Sequence, residues 1–275
     1  MSPIGLMSLI GPIIKTMHTR EEKLEAFGRL LDVMDTLREK CPWDRKQTNQ
    51  SLRPNTIEET YELCDALLKE DDHNICKELG DVLLHIVFYA KIGSEKETFD
   101  IADVCNQLCD KLIFRHPHVY GEVKVDGTEQ VLQNWEQLKT KEKDGNKTVL
   151  SGVPAALPSV IKADRIQEKA SNVGFDWHNR EDVWPKVREE IAEFEAEVAN
   201  MDKEKATREF GDLMFSLINA ARLYHINPDT ALEYTNQKFI KRFTYVEMKA
   251  REQGRDIKDL TLEEMDAFWE EAKKQ

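Results

Sequence analysis

The chain has 275 residues, 40% of them apolar, which leaves room for two domains of ordinary size with real cores. A formal net charge of −13 excludes a nucleic-acid backbone as the standing partner, because like charges repel. Cys41, Cys64, Cys76, Cys105 and Cys109 form no C-x-x-C, and the histidines show no zinc spacing, so reduced thiols in a cytoplasmic protein are expected.

Residues 1–16 are apolar but interrupted by Gly and Pro. They are too short to span a bilayer and lack a basic leader, so a flexible extension over 1–19 is expected, with Met17 as an alternative start and no membrane partner. The spacing of Leu24, Phe27, Leu31, Met34 and Leu37 predicts a helix over 20–40, ended by Cys41-Pro42-Trp43-Asp44. Pro54 is expected to open the next helix, with Thr56 and Glu59 as a capping box. Residues 74–93, apolar from Val82 to Ala90, read as a buried helix, and 99–115 as another. Arg115-His116-Pro117-His118 reads as a turn rather than a metal site, and 128–143 as a charged helix with Trp135. Residues 146–158, with two prolines, are the expected linker. A short basic helix over 159–171 follows, then a loop from Asn172 to Trp177, two acidic helices, a helix from Asn227-Pro228 to about 252, and a last helix opened by a Thr261–Glu264 capping box. No strand-like alternation of useful length occurs, so the fold is expected to be all-α.

The two acidic helices hold the chemistry. Glu190 and Glu193 are three residues apart in the first, Glu209 and Asp212 in the second, so each pair shares a helix face. Val187, Ile191, Phe194 and Val198 form the expected buried face of one helix, and Phe210, Leu213, Leu217 and Ala221 that of the other. Gly211 sits inside the second pattern at a cost of about 1 kcal/mol relative to Ala, and marks an expected close approach of a helix or a ligand. One E-x-x-E pair occurs by chance on any solvated helix; what sets this one apart is repetition. Glu59, Glu62, Glu78 and Asp81 form the same array, with 19 residues from Glu59 to Glu78 and 19 from Glu190 to Glu209. E-L-G-D-V-L-L aligns with E-F-G-D-L-M-F, Lys111 and Arg115 with Lys238 and Arg242, and Trp135 with Trp269. The chain therefore reads as a duplicated helical bundle, with one domain over 20–145 and a second over 159–275.

Crowded carboxylates without His or Cys suit a hard divalent cation, Mg²⁺ or Mn²⁺, which takes its remaining ligands from water and substrate phosphates. Metal-assisted hydrolysis of a phosphoanhydride fits that donor set, with Lys238 and Arg242 placed to hold phosphate charge and Trp269 to stack on a base. Neither a P-loop nor a Rossmann turn is present. A di-iron carboxylate bundle would need Glu-x-x-His pairs, which both arrays lack. A helical scaffold that binds nucleotide without cleaving it is the other reading.

C-P-W-D, E-E-T-Y-E, E-L-G-D, R-H-P-H-V-Y, N-V-G-F-D-W and K-F-x-x-R-F together resemble the MazG-type nucleoside triphosphate pyrophosphohydrolases of the all-α NTP pyrophosphatase superfamily. The resemblance runs from about Glu21 to the end. It implies Mg²⁺-dependent hydrolysis of ribo- and deoxynucleoside triphosphates to the monophosphate and pyrophosphate, in nucleotide-pool housekeeping. It implies metal ligation and catalysis by Glu190, Glu193, Glu209 and Asp212, with Glu59, Glu62, Glu78 and Asp81 as a second metal set. Its nucleotide contacts map to Lys186, Glu189, Lys205, Lys238, Arg242 and Trp269, with the C-terminal copy as the active one. It also implies a homodimer or a larger homo-oligomer.

Overall fold

The structure is a computed structural model that describes residues 17–141 and 148–274. Most of the expected N-terminal extension (1–16) and the start of the expected linker (146–147) lie outside the described residues. The α-helices among them are α1 (Arg20–Lys40), α2 (Asn49–Leu68), α3 (Asp72–Glu95), α4 (Ile101–Arg115), α5 (Pro117–Tyr120), α6 (Thr128–Lys141), α7 (Ser159–Ser171), α8 (Val183–Ala199), α9 (Lys203–Leu223), α10 (Pro228–Glu252) and α11 (Leu262–Ala272). No strand occurs among the described residues, so the fold is all-α as expected. No helix among them is long and apolar enough to cross a membrane. By packing, the chain forms two compact units, one ending at Lys111 and the other beginning at Leu112, inside α4. That division groups residues by contact, whereas the join expected at 146–158 separates copies of a sequence.

In the first unit α1 starts at Thr19, whose side chain accepts from the Glu22 amide while Glu22 accepts from the Thr19 amide at 2.7 Å. Such a box satisfies amides that have no partner inside the helix. The start of α2 differs from expectation. Its N-cap is Thr48, boxed with Ser51, so Pro54 lies inside the helix and Thr56 donates back to the Leu52 carbonyl. The competing cap lies six residues upstream of Pro54, and the helix gives up one ladder bond at the proline in exchange for an extra turn. α2 and α3 pack as a hairpin, with Met34, Leu52, Val87, Phe88 and Ile92 as the buried core. Of the core positions expected in α1, Met34 is buried and Phe27 and Leu31 pack against it, but Leu24 and Leu37 are exposed.

In the second unit α7 has the predicted bounds and α8 and α9 form the hairpin. The duplication is geometric as well as textual. Glu70 and Met201, 131 residues apart, both turn the hairpin with φ near +55° (52° and 57°), and the next residues, Asp71 and Asp202, both N-cap the following helix. Two side-chain-bearing residues held in the left-handed region at the same place mark one turn design used twice. Asn227 caps α10 ahead of Pro228, and the Thr261–Glu264 box opens α11 as expected. His116 N-caps α5 and its ring meets Trp135 edge-on at 5.0 Å, so R-H-P-H is a turn.

The apolar stripes of α8 and α9 are only partly covered. Val187 is buried and Leu213 packs beside it, but Ile191, Val198, Phe210 and Leu217 are exposed, against expectation. One helix hairpin buries the side where its two members meet; the remainder of a broad stripe needs a further layer to cover it. A Cβ at Gly211 would meet nothing within 4 Å, so of the two expected close approaches the one by a helix is not made among the described residues; its counterpart Gly80 is equally open.

Candidate active site

The antiparallel pairing of α8 and α9 decides which acids meet. Carboxylate oxygens of Glu190, Glu193 and Glu209 all lie within 4.8 Å of one another. Asp212, the fourth expected member, stands outside that trio and instead lines a cavity with Glu190. In the first copy the trio is Glu59, Glu78 and Asp81, again within 4.8 Å, and Glu62 is the member left out, on the wall of an open groove of about 460 Å³. Each array thus brings three of four acids together, and a different one stands aside.

The crowding is visible in the charges. Partial burial and then repulsion from Glu193, Asp212 and Glu190 push the Glu209 carboxyl above the usual range. Burial and then Asp81, Glu62 and Glu78 do the same to Glu59. Glu190 is 6% exposed and Glu78 5%. Each has one lysine: Lys186 Nζ is 2.8 Å from Glu190 and 3.1 Å from Glu189, and Lys77 Nζ is 2.7 Å from Glu78. Lys186 is held strongly protonated by its hydrogen bonds to Glu190 and then Glu189. The other oxygen of Glu78 is buried and has no partner. An all-oxygen set with surplus negative charge and an orphaned carboxylate oxygen fits a hard divalent cation.

Beside the second array lies a cavity of about 720 Å³, mostly apolar, between α7, α8, α9 and the loop holding Phe175, Asp176 and Trp177. Lys186, Glu190 and Asp212 mark its acidic end. The loop is anchored by a bidentate pair, with Arg222 donating to the two Asp176 oxygens at 2.6 and 2.9 Å. The remaining expected nucleotide residues do not line the cavity. Arg242 lies over the Trp269 ring at 5.7 Å, and Trp269 packs on Phe239 at 5.0 Å. Lys238 is exposed on α10, and Lys205, in the first turn of α9, is 3.5 Å from Asp202.

Two copies of the family model for the MazG nucleotide pyrophosphohydrolase domain match the chain, at residues 47–120 and 178–246, each spanning one acid array. The chain belongs to the MazG family. It is 40% identical over 259 residues to the nucleoside triphosphate pyrophosphohydrolase of Escherichia coli (strain K12), covering 92% of this chain and 98% of that one. It is 41% identical to the nucleoside triphosphate pyrophosphohydrolase/pyrophosphatase MazG of Thermotoga maritima over 90% of this chain and 95% of that one. It is also 45% identical over 92% of its length to YabN of Bacillus subtilis (strain 168), of which it spans 53%. The chain is accordingly a hydrolase, a MazG nucleotide pyrophosphohydrolase.

The two MazG copies part company behind the acids. At the spacing of 131 residues that relates the arrays, Leu52, His85 and Phe88 of the first copy correspond to Val183, Ser216 and Asn219 of the second. Leu52 and Phe88 are buried core, and His85 Nδ1 meets Thr56 Oγ1 at 3.1 Å, which in turn meets the Tyr89 hydroxyl at 2.6 Å. Burial pushes the His85 pKa down, which keeps that imidazole neutral. Val183, Ser216 and Asn219 are smaller, and all three line the MazG cavity. None of these residues, nor Gln167 or Arg222, carries a role in the sequence motifs, and Asp176 enters there only as part of N-V-G-F-D-W. The signal was available: the same register that aligns the acids also shows bulky residues in one copy against small ones in the other.

Proposed function

We propose that this protein hydrolyses nucleoside triphosphates, ribo and deoxy, to the nucleoside monophosphate and pyrophosphate with Mg²⁺, and that the second copy performs the turnover. The observation that carries this reading is the acid trio of Glu190, Glu193 and Glu209, whose Glu190 lines a mostly apolar cavity of about 720 Å³, where the first copy's acids adjoin an open groove of about 460 Å³. The names of the Escherichia coli and Thermotoga maritima relatives support the substrate class.

In this reading Glu190, Glu193, Glu209 and Asp212 hold the divalent cation, and Mn²⁺ substitutes for Mg²⁺. A bound cation of this kind polarises phosphoryl oxygen and lowers the pKa of a coordinated water. The cavity takes the nucleoside and excludes water from it. Lys186 supplies positive charge where the polyphosphate meets the acids, with Glu189 holding the lysine in place. Water adds to the α-phosphorus, the bond from that phosphorus to the bridging oxygen of the β-phosphate breaks, and a carboxylate of the array takes the water's proton. Lys238, Arg242 and Lys205 add to the field that attracts the triphosphate, and Trp269 forms an outer stacking surface. The first set, Glu59, Glu62, Glu78 and Asp81, binds the cation beside an open groove and is not the turnover site. The exposed Ile191, Val198, Phe210 and Leu217 support a homodimer in which a second copy covers them. The chain's free cysteines support a reducing cytoplasmic setting, in which clearing the nucleotide pool is the role proposed.

Incubation with a panel of NTPs and dNTPs plus Mg²⁺, with products separated by ion exchange, tests the reading. Monophosphate plus pyrophosphate is expected. Diphosphate plus phosphate would reject the bond, and bound nucleotide with no product would favour a non-catalytic binding protein. Light scattering on an eluting column gives the mass, and a monomer would reject the dimer.

A further inference from the structure

Gln167 is a polar side chain sealed into α7, 6% exposed, yet only half of its amide is used. Its Nε2 donates to the Phe215 carbonyl of α9 at 2.8 Å. A carbonyl only accepts, so the amide is oriented with Nε2 toward α9 and Oε1 turned away. That Oε1 is buried and has no partner in the protein. Gln167 is also on the wall of the 720 Å³ cavity. A buried acceptor left without a donor is destabilising, so its persistence in a residue of the cavity wall points to a donor that reaches it, with a small shift of the side chain, when the cavity is occupied. A second group on the same wall has the same polarity. Ser216 Oγ donates to the Leu213 carbonyl at 2.8 Å, which commits its hydrogen and leaves only accepting capacity.

We infer that the cavity binds the nucleobase and that Gln167 Oε1, with Ser216 Oγ of the same lining, reads an N–H on the base edge. This deepens the nucleoside triphosphate reading and rests on it for the class of ligand. Apolar lining from Ile166, Phe175 and Trp177 takes the faces of a flat ring. The acceptors select an exocyclic amino group or a ring N–H over a base edge that lacks one. Gln167 is a specificity-determining residue in this account and takes no part in bond breaking. The distinction from Trp269 is concrete, because Trp269 is packed against Phe239 away from the cavity lining.

The test uses nucleoside monophosphates, which contain no phosphoanhydride bond, so binding is measured apart from turnover. Calorimetric titration of the full-length protein compares AMP with purine riboside monophosphate, and CMP with its 4-desamino analogue. In each pair the second partner lacks only the amino group. Wild type is expected to prefer the amino-bearing member of at least one pair by about tenfold, and Gln167→Leu to lose that preference while keeping its helical spectrum. Phe215 lies within α9, so its carbonyl retains a ladder partner in the variant. Equal binding of both members of each pair by wild type overturns the inference, and does so even if Gln167→Leu does not fold. A preference that survives intact in Gln167→Leu overturns it too. Base discrimination by a protein that releases no pyrophosphate from any triphosphate would sink the hydrolytic reading alone; triphosphate turnover without discrimination would sink the inference alone.

Discussion

The two copies present nearly the same acids on nearly the same hairpin, and they differ in what stands behind them. In the first, Leu52 and Phe88 are buried core and His85 is buried against Thr56. In the second, the corresponding Val183, Ser216 and Asn219 line a cavity together with Glu190 and Asp212. A carboxylate cluster is the same feature in both; the second adjoins a mostly apolar cavity of about 720 Å³ and the first an open groove of about 460 Å³. A few differences of side-chain volume between duplicated copies are enough to reshape the space beside the same acids, because close-packed interiors register even single methylenes.

The comparison breaks first at the acids themselves. Glu193→Gln should cut turnover at least about 100-fold, the scale on which even groups behind a metal's ligands are felt. Its counterpart Glu62→Gln should leave turnover within about twofold, since Glu62 stands outside the first trio and is not among the residues lining the second copy's cavity. Steady-state assays with circular dichroism as a folding control decide it, and equal losses in the two variants would mean that both copies turn over.

Exchanging the volumes is the next test. Ser216→His with Asn219→Phe rebuilds the first copy's filling in the second and should raise KM for every triphosphate at least about tenfold, a lost binding free energy of about 1.4 kcal/mol or more. Mg²⁺ binding should survive. The reverse change, Phe88→Ala, should destabilise the first copy by about 3–5 kcal/mol, because it empties a side chain that is 3% exposed. Denaturant unfolding measures that loss, and a cost under 1 kcal/mol would mean the first copy is not packed as described.

The loop anchors give a smaller contrast. Burial pushes the Asp176 carboxyl up, but hydrogen bonds from Arg222 and Ser171 outweigh it and hold the group below its usual value. In the first copy Arg38 grips the corresponding loop through the backbone carbonyls of Asp44 and Gln47. Asp176→Asn should therefore cost about 1–3 kcal/mol near neutral pH, and Asp44→Asn within about 0.5 kcal/mol. A depressed carboxyl contributes stability that is fully present above its unfolded pKa of about 3.9 and lost as pH falls through the lower folded value. The difference between wild type and Asp176→Asn should accordingly shrink on acidification below about pH 4; a difference independent of pH would assign the cost to geometry rather than charge.

The two glycines give the smallest effect. With open space around each Cβ position, Gly80→Ala and Gly211→Ala should each stabilise their helix by up to about 1 kcal/mol. If Gly211→Ala alone also raises KM, the expected close approach is by the substrate rather than by another helix.

Periodicity and capping residues determined much of this molecule locally. The bounds of α7, the start of α10 at Pro228 and the Thr261–Glu264 box were legible because helix starts and faces depend on neighbours three and four residues away. The duplication and both acid sets were legible too, since like spacing repeated in one chain is itself a pattern. Near Pro54 that local logic failed, because Thr48 and Ser51 offered a stronger cap upstream. What only the tertiary structure decided was which three of four acids meet, which apolar residues stay exposed, and that Gln167 holds one amide atom in reserve on a cavity wall. Each depends on the distance between elements far apart in sequence, and that distance is set by the volumes packed between them rather than by any residue's near neighbours.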